Sequence, residues 1–213
     1  SIVCSSLVTI FSVLLGIVTA FAVVRYDFPF KNVIRSLLLV PMLATPFVNA
    51  FVIGKFLGPN GLLNYILYDE LHILPAKILI YGLPAVIIIQ TISFFPIVFI
   101  NVSSSLTNLD PAMEEQAEVL GSRGIRLFKD ITLPLITPGV TSGATLVFII
   151  SLEDLGAPIG LSGAFGSGLH QKLINFYIYS EFRRGLGSIE QVHASTYALA
   201  VILIIISTIA FLG

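Results

Sequence analysis

Residue types that do chemistry are scarce in this chain of 213 residues, which has one cysteine, three histidines, and 12 acidic against 11 basic side chains. His72, His170 and His193 lie far apart, whereas a zinc site needs several His or Cys ligands at close spacing. Cys4 can form no intrachain disulfide, and in its apolar run it behaves as a small hydrophobe. A phosphate cradle needs GxxxxGK[ST], whose backbone amides and lysine hold the phosphates. Gly54-Lys55-Phe56 lacks both the hydroxyl residue and the earlier glycine, and the glycine-rich run from Gly156 to Gly168 contains no Gly-Lys pair. That run reads as an outer turn or a short re-entrant piece. The chain is therefore expected to carry no catalytic group, no metal and no cofactor.

What polar chemistry there is lies at particular places in apolar surroundings. Glu153-Asp154 closes a long neutral stretch. Two readings stand: the acids mark the interfacial end of a helix, or they touch an external protein or a passing cation. Asn49, Gln90, Thr91, Ser93 and Asn101 interrupt other neutral stretches. Amides in hydrocarbon are costly unless they face protein or water, so they act either as interhelical glue or as contacts along a pathway. Gly139 and Gly143 form a GxxxG, a pattern that lets helices approach closely.

The elements that must hold these residues follow from composition. The chain is 56% apolar and 11% charged, with a mean hydropathy of +0.98. Soluble domains carry roughly 25% charged residues, so this chain cannot cover a water-facing surface, and a soluble enzyme is excluded. Disorder is excluded too, because it needs low apolar content. The net charge of −1 gives no field to attract nucleic acid. About 20 helical residues cross a hydrocarbon layer of ~30 Å. Runs free of Asp, Glu, Lys and Arg predict five spanning helices at 2–24, 36–57, 79–101, 136–153 and 194–213. The fold class is thus all-α and membrane-embedded, surrounded by a lipid bilayer. The opening run lacks the basic region and cleavage site of a signal peptide. The chain begins with Ser and ends inside an apolar run, which reads as a portion of a longer polypeptide.

Prolines punctuate the spans: Pro41 and Pro46 in the second, Pro84 and Pro96 in the third, Pro134 and Pro138 entering the fourth. Interior proline removes a backbone hydrogen bond and kinks a helix. The prolines are either the ordinary enrichment of membrane helices or kinks that line a pathway, with Pro41, Pro46, Asn49 and Gln90 as candidates on it. With five crossings, loops 25–35 and 102–135 share one side and carry six basic residues, Arg25, Lys31, Arg35, Arg123, Arg126 and Lys129. Five lie opposite, so the basic count orients the chain only weakly, with the short 25–35 loop favouring the cytoplasm.

The polar insert 108–138 reads as two short helices. Asp110 is a good N-cap and Pro111 suits the first helical position. Met113, Ala117 and Leu120 form an apolar stripe, with Glu114, Glu115 and Glu118 facing elsewhere. Gly121 stands where a left-handed residue ends a helix. Ser122 then caps a second helix running towards Asp130, and Leu133-Pro134 stops it and begins the next crossing.

This insert resembles a known family. Glu115-Gln116-Ala117, three residues, Gly121, nine residues, Ile131, one residue, Leu133-Pro134 is similar to the EAA loop of binding-protein-dependent ABC transporter permeases, Glu-Ala-Ala, three residues, Gly, nine residues, Ile-x-Leu-Pro. Gln116 replaces the central alanine, a tolerable change because Gln is also a good helix former. Leu39-Val40-Pro41-Met42 with Pro46 is similar to a core helix of these permeases. "DLGAPIGL" at 154–161 resembles the branch that carries ferric iron and related small ions. The resemblance implies a five-helix importer permease of the inner membrane, one permease domain over 1–213 with a cytoplasmic coupling loop at 108–135. It implies that Glu115, Gln116, Ala117, Gly121, Ile131, Leu133 and Pro134 couple the chain to a separate ATPase. It also implies a second permease half and an extracytoplasmic solute-binding protein, for which Glu153 and Asp154 are contact candidates. The rival readings are a membrane enzyme, which would need convergent ionisable groups within the spans, and a secondary transporter or channel without ATPase coupling.

Overall fold

The computed structural model describes residues 1–58, 61–73, 76–77, 80, 82–119, 121–165, 173–184 and 194–212. Leu120, Lys172, His170 and His193 lie outside this set, as do the expected start of the third span at residue 79 and much of 166–193.

Among the described residues every regular element is helical. The first neutral run forms α1 (Ile2–Arg25), which ends one residue after its neutrality ends. The second run forms α2 (Lys31–Leu43) and α3 (Pro46–Leu57), followed by the short α4 (Leu62–Asn64) and a stretch of wide π-type turns, Tyr65–Glu70. The third long helix is α5 (Leu83–Thr107). The polar insert gives α6 (Pro111–Val119) and α7 (Ile125–Leu127). Wide turns at Phe128–Thr132 lead into α8 (Leu133–Glu153). Then come α9 (Gly156–Phe165), α10 (Ile174–Arg184) and α11 (Ala194–Leu212). By length and composition four of the described helices can cross a membrane, or five if the bent α2–α3 pair counts as one crossing.

The expected second span is thus corrected from one kinked helix to two, with a bend of 105° between Lys31–Leu43 and the stretch that starts at Pro46 and runs to Glu70. Ala44 and Thr45 are extended, Thr45 Oγ1 accepts from the Val48 amide, and Pro46 occupies the first turn, where its missing N–H is harmless. Pro84 likewise sits at a helix start rather than at a kink, leaving Pro41, Pro96 and Pro138 as interior prolines, with Pro134 inside the unbroken helical run 125–153. Of the two readings of the glycine-rich run, only the turn is corrected: its described part is the short helix α9, packed on α3 and α5.

Helix α5 is the centre. Its Ile89, Val98, Phe99 and Val102 are almost wholly buried, packed against α1 and α8, which also pack on each other. The flanking helices turn small residues toward it: Ser5, Ser12, Gly16 and Ala20 on α1, and Gly139, Gly143 and Ser151 on α8. A Cβ on Gly16 would lie 2.6 Å from Val98 Cβ, and one on Gly143 would lie 3.0 Å from Val98 Cα. Both glycines therefore close onto the same residue, and the GxxxG of α8 is a packing device. Helix α2 buries no side chain.

Candidate functional site

Two polar constellations stand out, one at each end of the α1–α5–α8 bundle. The first is the elbow made by α6 and α7. Asp110 Oδ1 accepts from the Ala112 amide at 2.9 Å and opens α6. The helix closes when the Gly121 amide donates to the Glu118 carbonyl (3.0 Å) and the Ser122 amide to the Ala117 carbonyl (2.9 Å). That pair of hydrogen bonds around a left-handed residue is a Schellman cap, and Gly121 has φ +90°. The sequence pointed to this glycine; it missed Gly124, which has φ +59° and ψ −127° and starts α7. Ser122 is not the side-chain cap expected, because its amide completes the Schellman pair and the corner extends to Gly124. Nor does Leu133-Pro134 stop the second arm. Residues 125–153 form a continuous helical run, with π-type turns at 128–132 taking up the strain of Pro134. The elbow's second arm is therefore the stem of a membrane helix.

The face assignment of α6 is also corrected. Glu114 does not point outward: it is 9% exposed, ion-paired with Arg25 at the end of α1, and accepts from Thr132 Oγ1 at 2.7 Å. Ala117 is buried beside it, whereas Met113 is exposed. The inward face thus holds Glu114 and Ala117. Phe21 meets Phe128 edge-to-face at 5.2 Å, a second tie between α1 and the elbow. Ala112, Glu115, Gln116 and Val119 line a shallow outward concavity of about 490 Å³. Val119 and Ile125 are 87% and 86% exposed, bare apolar side chains at the corner. Ile131 and Leu133 are half-buried against the bundle and Pro134 is exposed.

The second constellation lies at the opposite end of the same helices. Gln90 is 1% exposed; its Nε2 donates to Asp154 Oδ2 at 2.9 Å and its Oε1 accepts from Ser151 Oγ at 2.8 Å. Asp154 Oδ1 and Oδ2 accept from the Gly156 and Ala157 amides, so the carboxylate caps α9. The Asn175 side-chain amide donates to the Asp154 carbonyl, and the Ile174 amide donates to Ser1 Oγ at 2.8 Å. Gln90 is thus buried with both ends of its amide bonded within this chain, and both carboxylate oxygens of the half-buried Asp154 accept from this chain's own donors. Glu153, next to it, is exposed. Asn49 donates to Ser93 Oγ and to the Pro41 carbonyl, both at 2.9 Å. That carbonyl has lost its helical partner at the α2–α3 break, so the amide repairs the break. Pro41 and Pro46, flanking the break, are half-buried. Among the described residues no group of three or more His, Cys, Asp or Glu could hold a metal.

Comparison with known proteins gives a consistent picture. The profile described as "Binding-protein-dependent transport system inner membrane component" matches residues 12–213. The molybdenum transport system permease protein ModB of Escherichia coli (strain K12) is 32% identical over 155 residues, 73% of this chain and 66% of that protein. ModB of Haemophilus influenzae is 30% identical over 150 residues, 70% of this chain and 64% of that protein. The ferric transport system permease protein FbpB of Actinobacillus pleuropneumoniae is 28% identical over 178 residues, 84% of this chain and 26% of that protein. The chain thus spans about two thirds or less of the length of these relatives. Among solved structures, a bacterial ABC transporter involved in the import of the acidic polysaccharide alginate aligns with TM-score 0.76 at 20% identity, covering 98% of this chain and 74% of that one. The same fold recurs, at TM-score 0.72, in a complex of an alginate ABC transporter with its pentasaccharide-bound periplasmic protein.

Proposed function

Because the chain belongs to the family of binding-protein-dependent transport system inner membrane components, we propose that it is one permease half of an ATP-driven importer, with residues 108–135 as its handle for a separate ATPase. In this reading the chain is a single transmembrane permease domain that pairs with a second half, identical or homologous. Solute arrives on an extracytoplasmic binding protein, for which exposed Glu153 is a contact. Hydrolysis belongs to the ATPase, which holds the nucleotide. The cargo is a small inorganic ion, by analogy with relatives named for molybdenum and ferric transport. The bent α2–α3 pair, with Pro41 and Pro46 at its break, is the element set against the path.

The observation that supports the reading is the outward face of the elbow. Glu115 and Gln116 share it with Val119, which is almost wholly exposed, while the equally exposed Ile125 stands across the corner at the start of the helical run that becomes the next span. Apolar side chains held out by a fixed glycine corner suit a groove on another protein. Ala117 and Gly121 shape this corner from within, and Ile131, Leu133 and Pro134 form the stem that carries its motion into α8. A partner moving the elbow would thereby bias the bundle between two arrangements of its helices.

The test is co-purification of the chain with its cognate ATPase from membranes. Deleting 112–122, or combining Val119→Asp with Ile125→Asp, is expected to abolish association while the chain still inserts. An ATPase that stays bound to both variants overturns the proposal and favours a carrier or channel working without one.

A further inference from the structure

Helix α1 has a polar anchor at each end. At one end Arg25 is ion-paired with Glu114 of α6, and the same carboxylate accepts from Thr132 at the foot of α8. At the other end Ser1 accepts from the Ile174 amide, and Ser1, Cys4 and Ser5 lie against Gln90, Ser151, Leu173 and Asn175. Between them run 24 helical residues, about 36 Å of rigid rod. Its buried face is lined largely by small side chains.

We infer that Glu114 is a transmission residue: its carboxylate locks the elbow to α1 and α8 together, and α1 carries elbow displacement across the membrane to the polar cluster around Asp154. The inference rests on the proposed ATPase coupling and goes beyond it, because Glu114 faces away from the docking surface. The physical reasoning is that a partly buried carboxylate with one charged and one hydroxyl partner holds its geometry better than an exposed ion pair does. The elbow's outward face can bind a partner without this residue. Without it, the tie between α1 and the elbow that remains among those described is the edge-to-face contact of Phe21 with Phe128, which permits sliding. Glu114 is a positioning residue, and its loss should separate binding from motion.

Cys4 supplies a reporter at the far end of the rod, because it is the one thiol of the chain and is buried against that cluster. The experiment uses the full chain assembled with its cognate ATPase in lipid nanodiscs. N-ethylmaleimide modification of the Cys4 peptide is followed by mass, with and without trapping by ATP and vanadate. The unmodified complex is expected to show at least a threefold difference in labelling rate between the two states. Glu114→Gln, which keeps size and loses charge, should retain ATPase binding and ATP hydrolysis while this ratio falls toward one. Thr132→Val, which removes one anchor at similar shape, should reduce the ratio partly and guards against a folding failure of the first variant. Exchanging the pair, Arg25→Glu with Glu114→Arg, should restore it. The inference is overturned if Glu114→Gln keeps the full ratio, if the unmodified complex shows none, or if the exchanged pair behaves no better than the single variants. Release of the ATPase by Glu114→Gln also overturns it, since that makes the residue a docking contact. An unmodified chain that never binds the ATPase refutes the underlying proposal instead, and is read separately from the pull-down.

Discussion

The glycine corner offers a clean perturbation because its cost can be assigned to a single cause. A Cβ added at Gly121 or Gly124 meets nothing within 4 Å, so neither substitution creates an overlap. What remains is backbone conformation: φ is +90° at Gly121 and +59° at Gly124. An L-residue in the left-handed region pays roughly 1–2 kcal/mol. Gly124, with ψ −127°, is farther from any conformation an L side chain favours, since it matches the glycine position of a type II′ turn. Gly124→Ala is therefore expected to be the harsher change, and Gly121→Asn the mildest, because Asn tolerates positive φ best. If the bent form is the one that docks, this strain appears as weakened binding of the ATPase. About 1.4 kcal/mol corresponds to tenfold, so the alanine variants should bind about five- to thirtyfold more weakly. Titration of labelled ATPase against the chain in nanodiscs measures this directly. Unchanged affinity for Gly121→Ala and Gly124→Ala would show that the corner is not held in the bound state, and the reasoning would fail.

Other perturbations probe the body. Gly139→Ala drives a methyl to 2.8 Å from the Asn101 carbonyl, a backbone atom that cannot rotate away; overpacking of this kind costs about 1–3 kcal/mol, and should appear as lower thermal stability in detergent, with Leu15→Ala on the exposed face of α1 as the quiet control. Asp154→Ala removes the cap of α9 and the partner of Gln90 together, so it should destabilise by about 1–3 kcal/mol, whereas Glu153→Ala, exposed beside it, should leave stability unchanged. Ser122→Cys in intact cells should resist a membrane-impermeant maleimide and react once the cells are opened; labelling from outside would place the elbow on the wrong face.

Much of the molecule was legible because its signals are local. Absence of charge marked α1 to within a residue of its end, and Asp110, Pro111 and Gly121 announced the start and stop of α6. The α2–α3 break was hidden from the same test, since a run free of charge looks identical whether or not the helix turns a corner. Thr45-Pro46 carried the missing signal, a cap residue followed by proline in the first turn. Glu114 was misread for a different reason. An apolar stripe predicts which face of a helix is buried only where burial is apolar, and here an arginine 89 residues earlier in the chain draws a carboxylate inward. Asp154 was read first as marking a helix end, and its capping of α9 through the Gly156 amide, two residues on, went unread. The partnership of Gln90 with Ser151, 61 residues away, has no local signature at all.

What local signals left hidden has one physical origin. Between helices in lipid, apolar side chains gain little from one another, because hydrocarbon is already all around them, so association rests on close packing and on hydrogen bonds. The abundant Leu, Ile and Val residues that located the spans therefore say little about how the spans meet. That information lies in the few small and polar residues. Gly16 and Gly143 converge on Val98 and set how near α1 and α8 come to α5. Close approach alone fixes distance but not register, since a smooth face can slip along its partner. Register must come from directional contacts, and these stand at the two ends, Glu114 with Arg25 and Thr132, and Asp154 with Gln90 and the α9 amides. A bundle held this way is stiff at its ends and smooth in its middle. That division is what a helix bundle needs if force applied at one end is to be felt at the other without the middle unpacking.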